Sequence, residues 1–177
     1  STSRGLGDVY KRQNVFGIIG WKNSGKTGLV ERLVSELTRR GFSVSTLKHA
    51  HHSFDVDHHG KDSHRHRLAG ASQVLISSAE RSALMTEFRG SKEPSLQTLL
   101  SKMEPVDVVL IEGWKCDTHP KIETWRSENG NPVIAANDNT ILAVASDLKL
   151  ELDCPVFDLN DTNAVTNFVI DHLELLE

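Results

Sequence analysis

Gly20–Thr27 reads "GWKNSGKT", which has the spacing G-x-x-x-x-G-K-[ST]. Such a loop wraps its backbone N–H groups around a phosphate chain, and the helix behind it adds the partial positive charge of its N-terminus. Gly20, Asn23, Ser24 and Gly25 are the expected phosphate-binding backbone. Lys26 is placed to reach the β- and γ-phosphates, and the Thr27 hydroxyl to bind Mg2+. A metal held there needs an acid. Glu112 follows four apolar residues in "VVLIEG" and can hold Mg2+ directly or through water. Gly113 would leave that strand end open to phosphates.

"VASD" sets Ser146 and Asp147 at the end of a late strand. An acid there can pair with the N1–H and exocyclic amine of guanine. A plain strand end running into a turn is the alternative, and no N-K-x-D separates guanine from adenine.

Seven of the nine histidines fall between His49 and His66, in "KHAHHSFDVDHHGKDSHRHRLAGA". The segment follows the second expected strand, so it emerges at the carboxyl edge of the sheet, where ligands bind. Asp55 and Asp57 lie two apart and share a face of an extended segment, so either can join the metal shell. Lys61 is expected to approach phosphate charge, and Asp62 or Ser63 to cap the helix that follows. His58, His59, His64 and His66 read as surface residues. His64 and His66, two apart on a helix, face different ways and chelate poorly. Two other readings stand beside this one: a nickel or zinc store built on imidazoles, and a solvated loop titrating near pH 6.5.

These groups need a scaffold. "VFGIIG", "SVSTLKH", "QVLISS", "RSALMTEF", "VDVVLIEG", "KIETWR", "TILAVASD" and "CPVFDL" are strand-sized segments, and the best of them are apolar throughout, as buried parallel strands are. Leu29, Val30, Leu33, Val34 and Leu37 recur at helical spacing, with Arg39, Arg40 and Gly41 to end the helix. Short helices are expected around Ser63–Ala71 and over 94–103, the latter with Pro94 at its start. A last helix begins near Asp161 or Thr162. The alternation predicts a three-layer α/β fold, a mostly parallel sheet of the P-loop NTPase type with helices on both faces. The stretch Lys115–Ile134 has less helix and is expected to be an antiparallel or loop excursion.

One domain is expected over residues 14–177. Residues 1–13 lack apolar periodicity, and "DVYKRQ" resembles the translation of a sequencing-library adapter. They read as a non-native or disordered leader. The formal net charge is -4, which argues against a general nucleic-acid binder. The apolar runs fall far short of the roughly 20 residues that cross a bilayer. Cys116 and Cys154 are far apart and form no CxxC pair, so a reducing cytoplasm fits.

Together "GWKNSGKTGLVERLV", "LKHAHHSFDVD", "GKDSHRHRLAGA", "SALMTE", "IEGWK" and "ILAVASD" resemble the molybdopterin-guanine dinucleotide biosynthesis adaptor family, MobB. The pieces occur in family order from about Val15 onward. The run H-x-H-H-x-x-D-x-D-x-x-G-K-D-S is the most specific of them. The resemblance implies a dimeric GTP-binding protein of the phosphate-loop class that uses Mg2+, hydrolyses GTP slowly and assists the MobA guanylyltransferase, with the molybdopterin cofactor as a bound substrate. It marks His49, His51, His52, Asp62 and Ser63 as signature positions beside Asp55, Asp57 and Lys61. Gly28 departs from the pattern, standing where a second Thr or Ser is common.

No Gln follows "IEG" to orient a water, and no arginine finger can be assigned; such parts are worth orders of magnitude in rate. The expected protein is an accessory factor and at most a slow GTPase. A small-molecule kinase, drawing on Arg65, Arg67, Arg81 or Arg126, and a nickel or zinc metallochaperone are the alternatives.

Overall fold

The computed structural model describes residues 13–50 and 53–175. The expected leader lies, up to residue 12, outside the described residues. In chain order the elements are β1 (Val15–Gly20), α1 (Lys26–Arg39), β2 (Val44–Lys48), α2 (Asp62–Leu68), β3 (Gln73–Ser77), β4 (Ser82–Thr86), α3 (Leu96–Leu100), β5 (Val108–Glu112), β6 (Lys121–Trp125), β7 (Ile141–Ser146), β8 (Val156–Asp158) and α4 (Thr162–His172). They divide into two compact units: Ala50–Ser95, holding α2, β3 and β4, and the rest of the described chain.

The larger unit is built on six parallel strands in the order β2-β5-β1-β6-β7-β8. Residues alternate between the two faces along each strand. Phe16, Ile18, Val108, Leu110 and Ile122 turn to one face. There they are buried with Leu29, Leu33 and Leu37 of α1 and Val165, Val169 and Ile170 of α4. Val15, Val109 and Ile111 turn to the other face and are buried with Leu96 and Leu100 of α3. Helices therefore cover both faces, as the alternation predicted. Asp161 caps α4 by accepting from the Ala164 N–H at 3.0 Å. The helix expected over 94–103 is confined to Leu96–Leu100.

The excursion expected over Lys115–Ile134 is half right. β6 is not antiparallel; it pairs parallel with both β1 and β7. Its link from β5 does contain no helix, and the register explains why none is needed. Glu112, the last residue of β5, lies beside Ile18, whereas Lys121, the first of β6, lies beside Gly17. The chain has only about one residue's rise to recover. It crosses β1 at Gly17, whose N–H donates to the Pro120 carbonyl at 2.8 Å. A Cβ at position 17 would lie 2.7 Å from Cδ2 of His119 and 2.9 Å from Cβ of Lys121. Only glycine leaves room for the crossing.

On the α3 side, two buried charges of β6 hold loops in place. Lys121 Nζ donates to the carbonyls of Lys115 and Asp117 and to Thr140 Oγ1. The Glu123 carboxylate accepts from the N–H groups of Ile134 (3.0 Å) and Ala135 (2.8 Å). Burial lowers the Lys121 pKa and raises that of Glu123, the two loop N–H groups opposing the latter shift.

In the smaller unit β3 and β4 form an antiparallel hairpin of their own, with Leu75 opposite Leu84. The α2 helix begins at Asp62, not Ser63. Its N-cap residue is Lys61, without a side-chain cap bond, so neither Asp62 nor Ser63 is the cap. Arg67 ties the unit together. It donates to Asp55 at 2.9 Å, to Asp57 at 2.6 Å and to Glu87 at 2.9 Å. Hydrogen bonding to Arg67 is the main reason the Asp57 carboxyl stays below the usual carboxylate range. His64, read as a surface residue, is buried. Its Nδ1 accepts from the Gly60 N–H at 3.3 Å, and its ring lies 4.6 Å from that of His59. The short loop before α2 folds back on the helix, which spacing alone does not reveal.

Candidate nucleotide site

The loop Gly20–Thr27 joins β1 to α1 at the carboxyl edge of the parallel sheet. Gly25 is the N-cap residue of α1 with φ 98°, a left-handed conformation that glycine adopts without strain. Asn23 shares it, at φ 62°. Ser24 is buried, and its hydroxyl lies 2.7 Å from Thr124 Oγ1. Thr124 spends its one proton on the Ile19 carbonyl, at 3.2 Å, so Ser24 donates to Thr124. The Ser24 side chain anchors the loop to β6, leaving its backbone for phosphates.

Lys26 folds over the loop, donating to the carbonyls of Gly20 (3.0 Å) and Trp21 (2.6 Å). Burial lowers its pKa, the Glu112 carboxylate opposes that shift, and Lys115 and Lys48 add to it. Thr27 and Glu112, assigned to a metal from sequence, are brought together: Thr27 Oγ1 donates to Glu112 Oε1 at 3.0 Å. A hydroxyl and a carboxylate form an oxygen donor pair that suits a hard cation. Mg2+ is usually held by one or two protein carboxylates, its other positions being filled by water and phosphate. The residues present fit that ion. Among the described residues no three His, Cys, Asp or Glu side chains gather as a metal cage.

Sequence reasoning missed three groups here, and it named a fourth, Arg126, only among the arginines of the kinase alternative. Lys48 Nζ lies 3.3 Å from the same Glu112 Oε1. Lys115 Nζ stands 4.5 Å over the Trp21 ring. Trp21 Nε1 donates to the Pro132 carbonyl at 2.8 Å, tying the phosphate loop to the segment after β6. Arg126, at the end of β6, lies against Gly25. The "K" of "LKH" and of "IEGWK" was the only signal available, and a lysine at a strand end has no meaning until its neighbours are known.

Ser146 is buried, and its hydroxyl accepts from the Leu148 N–H at 3.1 Å. Asp147 grips Ser127, accepting from its N–H at 2.9 Å and its hydroxyl at 2.9 Å. The bond from the Ser127 N–H is the main cause that keeps the Asp147 carboxyl below its ordinary value. Of the signature residues, His49 donates its N–H to the Glu112 carbonyl at 2.9 Å and sets its ring 4.7 Å from that of Trp114. It packs the end of β2 against the "EGW" turn. Asp55, Asp57, Lys61, Asp62 and Ser63 belong to the smaller unit, where Asp55 and Asp57 converge on Arg67. His51 and His52 lie outside the described residues. Of the arginines considered for a kinase, Arg67 is engaged by three carboxylates, and Arg81 is exposed beside Glu80.

The parallel sheet, its glycine-rich loop and the Thr27–Glu112 pair define an α/β protein of the phosphate-loop NTPase fold. Residues 15–147 match the family model described as MobB, molybdopterin guanine dinucleotide synthesis protein B. The chain belongs to this family. It is 40% identical over 157 residues to the molybdopterin-guanine dinucleotide biosynthesis adapter protein of Escherichia coli (strain K12), covering 87% of this chain and 90% of that one. The Haemophilus influenzae protein of the same name is 41% identical over 157 residues, covering 88% and 86%. The crystal structure of a MobB protein homolog from Bacillus stearothermophilus superposes with a TM-score of 0.69 at 28% identity, over 92% of this chain and 99% of that one.

Proposed function

We propose that this protein is a nucleotide-dependent adapter in molybdopterin guanine dinucleotide synthesis, binding GTP with Mg2+ on the loop Gly20–Thr27. The observation that carries the reading is the Thr27–Glu112 contact beside Lys26, a metal-and-phosphate pairing set at a helix N-terminus. The backbone from Gly20 to Thr27 would bind the phosphates. Lys26 would leave its two carbonyls for the β- and γ-oxygens, and Thr27 and Glu112 would hold Mg2+. When bound, Mg2+ would neutralise charge on the terminal phosphates. Ser146 and Asp147, at the end of β7, would be the guanine-side residues, with Asp147 releasing its bonds to Ser127 to accept from the base. Family membership supports the pathway. The names of the relatives support a role alongside the enzyme that makes the dinucleotide, here a MobA-type guanylyltransferase, with the molybdopterin cofactor as shared ligand. Hydrolysis is slow on this reading, since no Gln follows "IEG" to orient a water.

Lys26→Ala should weaken GTP binding by about a hundredfold or more, as loss of a charge-assisted phosphate contact does, with the thermal unfolding midpoint unchanged. Calorimetric titration with Mg2+ present decides it. An unaltered GTP affinity would end the phosphate-loop account.

A further inference from the structure

We infer that Arg126 is the anchor for the α-phosphate, the nucleoside-side end of the phosphate chain; this rests on the nucleotide reading above. The Thr27–Glu112 pair marks the metal end of the loop, on the side of β1 where β5 lies. A metal held by Thr27 and Glu112 would neutralise the terminal phosphates, so the nucleoside end would leave on the opposite side, toward β6 and β7. Arg126 is the residue that follows β6. A Cβ built on Gly25 would sit 3.4 Å from its Nε and 3.5 Å from its Nη2, so the guanidinium rests against the loop where α1 begins.

Its hydrogen bonding is incomplete in a specific way. Nε is buried and, among the described residues, has no hydrogen-bond partner. Nη1 reaches Glu128 Oε1 at the long distance of 3.4 Å, and that acid is exposed. A buried donor without an acceptor is costly, and an arriving anion relieves the cost. The guanidinium presents Nε and Nη2 as a planar fork that matches two oxygens of one phosphate. The base of the side chain is held as well, because Asp147 grips Ser127 immediately after it. On the loop itself, Gly28 offers no side chain to this end of the phosphate chain. A cation for the α-phosphate is available instead at the carboxyl end of β6, where Arg126 stands.

The test is calorimetric titration of the full chain and of Arg126→Gln and Arg126→Lys, with excess Mg2+ and fixed ionic strength. The probes are GTP, GDP and the two α-thio diastereomers of GTP. Arg126→Gln should lose about tenfold in affinity for GTP and GDP alike. Arg126→Lys should recover only part of the loss, since an ammonium lacks the fork. Sulfur at one α-oxygen should weaken binding to the unsubstituted protein, and Arg126→Gln should abolish that discrimination, as coupled partners do in a double-mutant cycle. A loss confined to GTP would put Arg126 at the terminal phosphate and overturn the inference, as would unchanged affinities or unchanged α-thio discrimination. If the unsubstituted protein binds no GTP, the nucleotide reading itself fails, and the inference with it.

Discussion

Glu112 Oε1 is the most contested atom in the site. It accepts from Thr27 at 3.0 Å and pairs with Lys48 at 3.3 Å. A divalent cation binding to Glu112 and Thr27 must displace an ammonium that already neutralises the acid. Lys48→Met removes that competitor. The Mg2+ concentration needed for half-maximal GTP binding should then fall by about two- to fivefold, the modest size reflecting the exposure of Lys48. A titration of Mg2+ at fixed GTP measures it, and a rise in the requirement would instead make Lys48 a phosphate ligand. The loop and Glu112 were legible in sequence because their spacing is local and their chemistry specific. Lys48 was not, and Arg126 stood out only as one of four arginines a kinase could use. Each becomes part of the site only when strands distant in sequence end side by side, and nothing within "LKH" or "TWR" records which strands those are.

Among the elements, the crossing from β5 to β6 carries a buried imidazole that the sequence did not mark. His119 is 2% exposed over Gly17, and neither ring nitrogen has a hydrogen-bond partner among the described residues. Burial, with a smaller contribution from Lys121, pushes its pKa down from 6.5 to about 4. In the unfolded chain the ring takes up a proton near pH 6.5; in the folded chain it resists until about pH 4. Between these values the unfolded state binds more protons, so stability is full above pH 6.5 and falls as the solution is acidified toward pH 4. The loss over this window is roughly 3 kcal/mol. Urea unfolding at a series of pH values should show that slope, and His119→Leu should flatten it whatever the variant's own stability. A slope that persists in His119→Leu would assign the window to other groups. The strands themselves were legible as apolar runs. Their partners were not, because pairing is set by contacts distant in the chain. β6 therefore proved parallel, and β3 and β4 paired with each other outside the main sheet.

At the scale of the whole molecule, the two units have different surfaces. The larger one buries its sheet between helices, and among the described residues no helix is long and apolar enough to cross a membrane. The smaller one exposes apolar side chains: Leu75 and Leu84 face each other across the hairpin at 65% and 56% exposure, with Phe54, Val56, Leu68, Ile76 and Phe88 also open. A two-stranded hairpin is marginal by itself in water. In a sheet of two strands each strand is an edge, and an exposed apolar pair on such a sheet invites a second chain. The family resemblance carries the expectation of a homodimer, and the prediction is that its interface is this hairpin set against a second copy of itself in a self-complementary contact. The Leu75→Glu, Leu84→Glu double variant places like charges directly opposite one another across the strands and, in a paired hairpin, against their symmetry mates. Sedimentation equilibrium should give a dimer for the unsubstituted chain at micromolar concentration and a monomer for the double variant. GTP affinity should stay the same, since the phosphate loop belongs to the other unit. A double variant that remains dimeric would move the interface off the hairpin, and an unsubstituted chain that sediments as a monomer would leave these leucines to a different partner.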